Sequence, residues 1–167
     1  MDAIFERISV RDYTDQPVED EKVQSLLRAA MAAPSGGNQQ PWQFVVVDDP
    51  ALNAQLEHTS KYTKPAGRAP LNIVPVIDAA GARFPETIDQ DLSACVENIL
   101  LEAVELGLGA VWQCVHPVPE RMAHVREVLG LPEGIDAFCI VSVGYPAEPP
   151  HPQQDRFDAA RIHRNGW

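Results

Sequence analysis

The chain has 167 residues, of which 45% are hydrophobic and 22% are charged, a balance typical of one folded domain and unlike that of a disordered chain. Lys and Arg number 13 and Asp and Glu number 24, so the formal net charge is −11, which disfavours binding to nucleic acid or to an anionic membrane surface. Any phosphate-bearing ligand must therefore be held by a local cluster of basic residues.

The apolar segments, the cysteines and the histidines indicate the cellular compartment of the protein and whether it binds a metal ion. No stretch approaches the ~18 consecutive apolar residues of a transmembrane helix, and the first residues lack the basic and apolar regions of a secretion signal. The three cysteines, Cys95, Cys114 and Cys139, contain no C-x-x-C pair, which favours a reducing cytosol over a disulfide framework. The five histidines lack the spacing of a metal site. The sequence therefore predicts a cytoplasmic protein without a metal ion.

Hydrophobic periodicity predicts helices that alternate with strands. The predicted helices cover 19–32, 50–57, 87 up to a stop at Gly107, and 119–129; the predicted strands cover 42–48, 71–78, 109–115 and 137–144. Thr87 and Gln90 match a capping box at the start of the longest helix. Pro75 cannot donate a hydrogen bond to a neighbouring strand, so strand 71–78 is expected at a sheet edge or at a bulge. This order favours an α/β or α+β sandwich whose helices cover a sheet of at least four strands.

The last segment, 145–167, has a different composition. Four prolines between residues 146 and 152 exclude a regular element, and the remaining residues are polar apart from Phe157, Ile162 and Trp167. Such a segment cannot bury its own apolar residues. We expect a C-terminal arm that packs on its own domain or on a partner subunit, and a frayed end is the alternative.

The segment Arg7–Arg11 is the first candidate for a binding site, since the sequence has no G-x-S-x-G, no Walker loop and no G-x-G-x-x-G. An extended backbone there would place Arg7, Ser9 and Arg11 on one side. Ile8 and Val10 would then lie on the other side. Two guanidinium groups beside a hydroxyl are suited to an anion, although a solvated basic turn has the same composition.

Two later segments are further candidates. Residues 33–42 form a loop rich in Asn and Gln, whose amides both donate and accept hydrogen bonds, as recognition of a heterocycle requires. An ordinary turn-forming loop explains the same residues nearly as well. Residues 106–117 contain a tight passage from helix to strand, followed by a strand end that faces a loop.

These segments carry motifs of a known family. They are R-x-S-x-R at 7–11, A-P-S-x-x-N-x-Q-P-W at 33–42, D-x-S-A-x-x-E-N-I-L-L at 91–101, L-G-L-G-A-V-W at 106–112 and G-Y-P-x-E at 144–148. Together, over nearly the whole chain, they resemble the FMN-dependent nitroreductase family in its short single-domain form. The resemblance implies one domain, 1–167, with the α+β nitroreductase fold: a central mixed sheet of four or five strands flanked by helices, and a C-terminal arm, 145–167, extended over the partner subunit. It also implies a homodimer with FMN at its interface.

The resemblance further implies which residues contact FMN. Arg7 and Ser9 match the family's phosphate and ribityl contacts, and Arg11 lies near the pyrimidine end of the flavin. The resemblance places the loop residues Pro34, Ser35, Asn38 and Gln40 of the second subunit beside the same flavin. It implies that the backbone of Gln113, Cys114 and Val115 faces the flavin ring, with one amide reaching N5. It also implies that Arg156 closes over the phosphate and that Lys64 lies by the flavin O2. No catalytic acid or base and no metal ligand is implied.

The implied activity is that of an oxidoreductase. A hydride passes from NAD(P)H to FMN, and a small organic acceptor of the nitroaromatic or quinone type then takes electrons at the same flavin face, which gives ping-pong kinetics. Arg11 supplies the cation that stabilises reduced flavin, and an ion pair with Asp12 or Asp15 is its alternative role. Enoate or azo reduction, flavin fragmentation and reductive dehalogenation are alternative reactions. A non-catalytic module that binds, senses or stores flavin is the alternative function.

Three features depart from the family pattern. Ile8 stands where many members carry a second basic residue, and Cys114 stands where many carry Gly. Residues 61–68 are more basic and more irregular than the usual helix at this place. We therefore expect differences in the phosphate site, in the geometry around the flavin and near the acceptor pocket.

Overall fold

The computed structural model describes residues 2–151 and 153–167, in which the predicted helices and strands occur in the predicted order, except that the predicted strand 137–144 is divided into two. The helices are α1 (Ala3–Glu6), α2 (Asp20–Met31), α3 (Pro50–Leu56), α4 (Lys64–Arg68), α5 (Ile88–Glu105) and α6 (Pro119–Leu129). The strands are β1 (Trp42–Val47), β2 (Leu71–Asp78), β3 (Gly109–Cys114), β4 (Ile135–Ala137) and β5 (Cys139–Gly144). Strand β2 and helix α6 have the predicted bounds, whereas the short helices α1 and α4 have no counterpart in the prediction.

The strands form one sheet in the order β1-β2-β5-β3, and β4 pairs with β2 beside β5. Every pair of these strands is antiparallel, and a bridge between Ser9 and Ala110 adds a parallel component. Through this bridge Arg7–Arg11, called here the N-terminal segment, lies along the outer edge of β3. The expected α+β fold with a central sheet is confirmed.

Pro75 lies inside the sheet at a β-bulge. Strand β1 flanks β2 on one side, and β4 and β5 share its other side. The register there sets three residues, 138–140, against two, 74 and 75. Pro75 accepts a hydrogen bond from the Phe138 amide at 2.9 Å, and the extra residue lets the sheet tolerate the missing proline donor. Of the two predicted positions, the bulge is therefore correct and the edge is wrong.

Two apolar clusters lie on opposite faces of the sheet. Consecutive residues of β2 show the division, because Ile73 packs towards α2 and α5 whereas Val74 packs towards α3, α4 and α6. Leu26 of α2 and Leu92 of α5 are fully buried in the first cluster, and Leu56 of α3 is fully buried in the second. The first cluster fixes α5 against the sheet, and α5 in turn supplies two anchors of the candidate site.

Thr87 precedes α5 but does not form the predicted capping box. Its side chain makes no hydrogen bond to an amide of the helix. The Thr87 hydroxyl instead lies 3.0 Å from the Phe84 carbonyl oxygen and 3.0 Å from the side-chain nitrogen of Gln39. The hydroxyl therefore joins the start of α5 to the loop 33–41.

The described part of segment 145–167 mostly lacks regular secondary structure and is mostly exposed, with one 3-10 turn at Ala159–Arg161. Phe157, Ile162 and Trp167 expose 75%, 56% and 104% of their reference surface. Gln153 attaches the segment to the N-terminal segment by donating to the Arg7 carbonyl oxygen at 3.0 Å. A single chain thus leaves the apolar residues of its arm largely uncovered.

Candidate functional site

The N-terminal segment attaches to β3 through main-chain contacts. Beside the parallel bridge from Ser9, the Val10 amide donates to the Ala110 carbonyl oxygen at 3.1 Å. Gly109 permits this close approach, because a Cβ there would lie 2.6 Å from the Cβ of Val10. Any larger residue at position 109 would push the segment away from the strand.

The direction of the N-terminal segment orders its polar side chains. Its two apolar residues line an apolar cleft of about 700 Å³, whereas Ser9 and Arg11 are exposed, as an extended backbone predicts. Because the bridge between Ser9 and Ala110 is parallel, the segment runs in the same direction as β3. Arg11 therefore lies towards the end of β3, and Arg7 lies towards its start.

The two arginines of the segment have different neighbours. The Arg7 side chain is 18% exposed, and its Nε lies 3.7 Å from a carboxylate oxygen of Glu97 on α5. Arg11 is exposed, and its Nη1 donates to the Ser9 carbonyl oxygen at 3.2 Å. Within residues 2–151 and 153–167 no ion pair includes Arg11, and Asp12 pairs with Arg68 instead. The ion pair considered as an alternative role for Arg11 is therefore not formed there.

The end of β3 presents main-chain groups to the open edge. In an antiparallel pair, consecutive residues alternately face the neighbouring strand and face away from it. The Ala110 carbonyl oxygen accepts from the N-terminal segment, and the Cys114 carbonyl oxygen accepts from the Arg121 side chain at 3.0 Å, so both residues face away from β5. Of the three residues expected at the flavin ring, Cys114 is thus the one whose amide faces the open edge. Gln113 and Val115 face β5.

A carboxylate from α5 holds the loop 33–41. Asp91 is 5% exposed, and its two oxygens accept from the Gly36 amide at 2.8 Å and from the Gln39 side chain at 2.6 Å. The Gln39 side-chain oxygen in turn accepts from the Phe84 amide at 2.9 Å. Sequence reasoning did not single out Gln39 or Asp91, although Asp91 opens the motif at 91–101. These two residues anchor the backbone that carries the expected FMN contacts.

The expected contact residues of this loop lie on a strained backbone. The φ angle is 55° at Gly37, 57° at Asn38 and 50° at Gln40, all in the left-handed region. The Ser35 hydroxyl accepts from the Gln40 amide at 3.0 Å, and the Gln40 side chain donates to Asn38 at 2.9 Å. Pro34, Asn38 and Gln40 are exposed. The loop is therefore braced internally and presents its polar side chains outward.

Lys64 and Arg156 have other surroundings. Lys64, the first residue of α4, donates to a Glu57 carboxylate oxygen at 2.8 Å, and this hydrogen bond lowers the pKa of the Glu57 carboxyl. Arg156 is exposed in the arm. Among the described residues, no hydrogen bond or ion pair joins either cation to the N-terminal segment or to the end of β3. On a single chain they are not part of that arrangement.

Buried polar side chains cross the sheet beneath the end of β3. Gln113 donates to the Ser142 hydroxyl at 2.6 Å, and this hydroxyl donates to the Asn72 side-chain oxygen at 2.6 Å. Asn72 donates to the Asn53 side chain at 2.8 Å and to the Ala66 carbonyl oxygen at 2.9 Å. The four polar residues, called here the polar chain, are 0% to 4% exposed. The polar chain links the strand end expected at the flavin to helix α4.

Two other kinds of site find no support in the described ranges. No group of three or more His, Cys, Asp and Glu residues there has an arrangement that would hold a metal ion. None of the helices in the same ranges combines the length and the apolar composition needed to cross a membrane.

Comparison with models of known protein families shows to which family the chain belongs. The model of the Nitroreductase family matches residues 4–62 and 52–145. The chain belongs to the nitroreductase family. The expectation of an oxidoreductase of this family is therefore confirmed.

Individual nitroreductase relatives match nearly the whole chain. A protein of Archaeoglobus fulgidus, provisionally named NADH dehydrogenase/NAD(P)H nitroreductase, is 42% identical over 98% of this chain and 96% of its own length. The crystal structure of a Clostridium acetobutylicum protein, provisionally named NADH oxidase, superposes with a TM-score of 0.96 at 46% identity, over 99% of this chain and 100% of that chain. An FMN-dependent nitroreductase from Clostridium difficile superposes with a TM-score of 0.92 at 31% identity, over 99% and 98% of the two chains.

Proposed function

We propose that this nitroreductase-family chain is an FMN-dependent oxidoreductase that transfers electrons from NAD(P)H to a small organic acceptor of the nitroaromatic or quinone type. The names of its relatives, NAD(P)H nitroreductase and FMN-dependent nitroreductase, support both the donor and the cofactor. The chain acts as one cytoplasmic domain, 1–167, in a homodimer that holds FMN at its interface. The kinetics are ping-pong, because donor and acceptor use the same open face in turn.

The arrangement along the outer edge of β3 carries this proposal. Arg7, Ser9 and Arg11 run parallel to β3, and the Cys114 amide faces the same edge. Cys114 follows Ala110 by four residues, a separation of about 13 Å along a strand. FMN, a flat ring whose side chain carries a phosphate, matches this order of residues. Its phosphate would lie near Arg7 and Ser9, and its ring would lie near Arg11 and Cys114.

The residues near the start of β3 suit a phosphate group. A guanidinium and a hydroxyl both donate hydrogen bonds to phosphate oxygens, and a net charge of −11 makes a local cation necessary. Glu97 contacts Arg7 at Nε, 3.7 Å away, and this ion pair holds the Arg7 side chain on α5. Arg7 therefore binds and positions the anionic end of the cofactor.

The chain's own residues bind and orient, and no side-chain acid or base is required. When bound, FMN supplies the hydride chemistry between NAD(P)H and the acceptor. Arg11 places a positive charge beside the pyrimidine end of the ring, where negative charge accumulates on reduction. The Cys114 amide, which faces the open edge of β3, would donate a hydrogen bond to the flavin ring. The polar chain beneath β3 holds the strand end that carries this amide in a fixed position relative to the rest of the sheet.

A second copy of the chain completes the site. Ile4, Phe5 and Met31 expose 62%, 68% and 53% of their surface, in addition to the three apolar residues of the arm. This amount of exposed apolar surface favours a protein partner over solvent. The partner contributes the loop with Pro34, Ser35, Asn38 and Gln40 to the flavin of the first copy, and the arm brings Arg156 to a phosphate.

Steady-state kinetics test the proposed reaction. NADH or NADPH is varied at several fixed concentrations of a benzoquinone or a nitrobenzoate, with the protein loaded with FMN. Parallel double-reciprocal lines are expected, because the reduced donor leaves before the acceptor binds. Lines that intersect would require both substrates on the protein together and would contradict the single-site mechanism. A loaded protein that reduces neither acceptor with either nicotinamide would contradict the proposed activity.

A further inference from the structure

Two of the three cysteines face each other across β3 and β5. The register pairs Cys114 directly with Cys139, so their side chains lie on the same face of the sheet. Cys114 turns its main-chain groups away from β5, which makes this a non-hydrogen-bonded pair with Cα atoms typically about 4.5 Å apart. Disulfides join residues whose Cα atoms are about 4.4–6.8 Å apart. The backbone therefore already places the two residues at a separation that a disulfide can bridge.

The two thiols differ in their access to solvent. Cys114 is exposed, whereas Cys139 is fully buried in the apolar cluster between the sheet and α5. Burial, with smaller contributions from Cys114 and Cys95, raises the pKa of the Cys139 thiol well above its ordinary value. An oxidant in solution therefore reacts with Cys114 first. Cys139 stays a thiol that its exposed neighbour can reach and bulk solvent cannot.

We propose that Cys114 and Cys139 are a redox-active pair that hydrogen peroxide converts reversibly into a cross-strand disulfide. The Cys114 thiolate attacks peroxide, the O–O bond breaks, and Cys114 becomes a sulfenic acid with release of hydroxide. The Cys139 sulfur then attacks the sulfenic sulfur, the S–S bond forms, and the departing oxygen takes the Cys139 proton and leaves as water. The pair loses two electrons and peroxide gains them. A dithiol reductant reverses the reaction.

The pairing of the two cysteines does not depend on the proposed flavin chemistry, because it rests on the strand register. Its position nevertheless matters for that chemistry. The disulfide would tie the last residue of β3 to the first residue of β5, at the strand end where the Cys114 amide faces the open edge. Oxidation would thus restrict the motion of the strand end that we place beside the flavin ring.

Thiol mapping by mass spectrometry tests the pair. The full-length protein is purified with reductant, freed of reductant, treated with hydrogen peroxide, denatured and alkylated. Digestion with trypsin leaves Cys95 and Cys114 together on peptide 84–121 and Cys139 on peptide 127–156, so a second protease that cuts after Glu separates Cys95 from Cys114. We expect a cross-linked peptide that joins Cys114 to Cys139, loss of both thiols to alkylation, and recovery of both after dithiothreitol.

Two variants sharpen this result. In Cys95→Ala the trypsin digest alone identifies the link, and the disulfide should form to the same extent as in the unmodified chain. In Cys139→Ala no cross-link can form, and Cys114 should proceed to sulfinic acid, which dithiothreitol does not reverse. Three results would overturn the proposal: Cys139 still fully alkylated after peroxide, a disulfide between Cys95 and Cys139, or a disulfide that joins two copies of the chain through Cys114.

Discussion

The side-chain amide of Gln113 donates to the hydroxyl of Ser142 at 2.6 Å, inside the sheet and directly beneath the strand end proposed to face FMN. Ser142 is fully buried, and its hydroxyl also serves Asn72. Ser142→Ala would leave a buried donor on Gln113 and a buried acceptor on Asn72 without their partner. We expect a loss of about 1–3 kcal/mol in the free energy of unfolding, measured by urea denaturation.

A second serine provides the control for this change. Ser93 on α5 donates to the Asp89 carbonyl oxygen of its own helix at 2.6 Å, in a partly exposed position. Ser93→Ala should change stability by no more than about 0.5 kcal/mol. Equal effects of the two substitutions would show that the polar chain has no special contribution.

Arg7→Ala should weaken FMN binding by about 1.5–3 kcal/mol, the range for a hydrogen bond to a charged group. The phosphate loses a charged partner in a protein whose net charge is −11. Quenching of flavin fluorescence during titration measures the affinity. Arg28→Ala, which removes an exposed arginine of α2, is the matched control and should leave the affinity unchanged. An affinity that Arg7→Ala does not alter would remove Arg7 from the site.

Asp91→Ala should loosen the loop 33–41. The Gly36 amide and the Gln39 side chain would both lose a carboxylate acceptor that lies within 2.8 Å and 2.6 Å of them. We expect the backbone amides of this loop to exchange hydrogen faster and FMN affinity to fall, because the loop carries expected cofactor contacts. Asp48→Ala removes an exposed carboxylate after β1 and should change neither quantity. Unchanged exchange in Asp91→Ala would show that other contacts hold the loop.

Stability should decrease at alkaline pH because two thiols are buried. Burial raises the pKa of Cys95 from 9.0 to about 12, so above pH 9.0 the unfolded chain releases a proton that the folded chain keeps. The stabilisation is complete below the unfolded pKa and is lost as the pH rises towards the folded value. Urea unfolding with dithiothreitol, compared between about pH 8 and about pH 10, measures this dependence. In Cys95→Ala the decrease should be smaller, by up to about 1.4 kcal/mol per pH unit.

Truncation after Ala147 tests the arm. Phe157, Ile162 and Trp167 are exposed on the single chain, and the shortened protein also loses the bond from Gln153 to the N-terminal segment. If the arm packs on a partner, the truncated protein should elute as a monomer and should lose its FMN, since the site is built from two copies. A truncated protein that stays dimeric and yellow would show that the arm has neither role.

Much of the fold follows from the sequence because each element carries its own periodic signal. Residues 71–78 and 119–129 have the predicted bounds, and the missing donor of Pro75 correctly indicates a bulge. The capping box at Thr87 is wrong because the hydroxyl has tertiary partners, Phe84 and Gln39, that a local pattern cannot reveal. Helix α4 has no prediction, since Lys64–Arg68 is too short to show a period.

Some features of the candidate site could likewise be predicted from the sequence, and others could not. The alternation at Arg7–Arg11 could be predicted, since it depends only on an extended backbone. The parallel bridge to Ala110, which orders those residues along β3, depends on a contact about a hundred residues away and has no local signature. Ser142 is a single polar residue in an apolar strand, so only the register shows that it meets Gln113 and Asn72.

The absorption spectrum of the protein incubated with FMN and freed of unbound flavin, followed without oxygen, tests the central claim most directly. We expect a yellow protein whose flavin band bleaches when NADH or NADPH is added and returns when a quinone or nitroaromatic acceptor follows. A flavin band that neither nicotinamide changes would contradict the enzyme and support the non-catalytic flavin module. A colourless protein that retains no FMN would contradict the flavin site at the edge of β3 altogether.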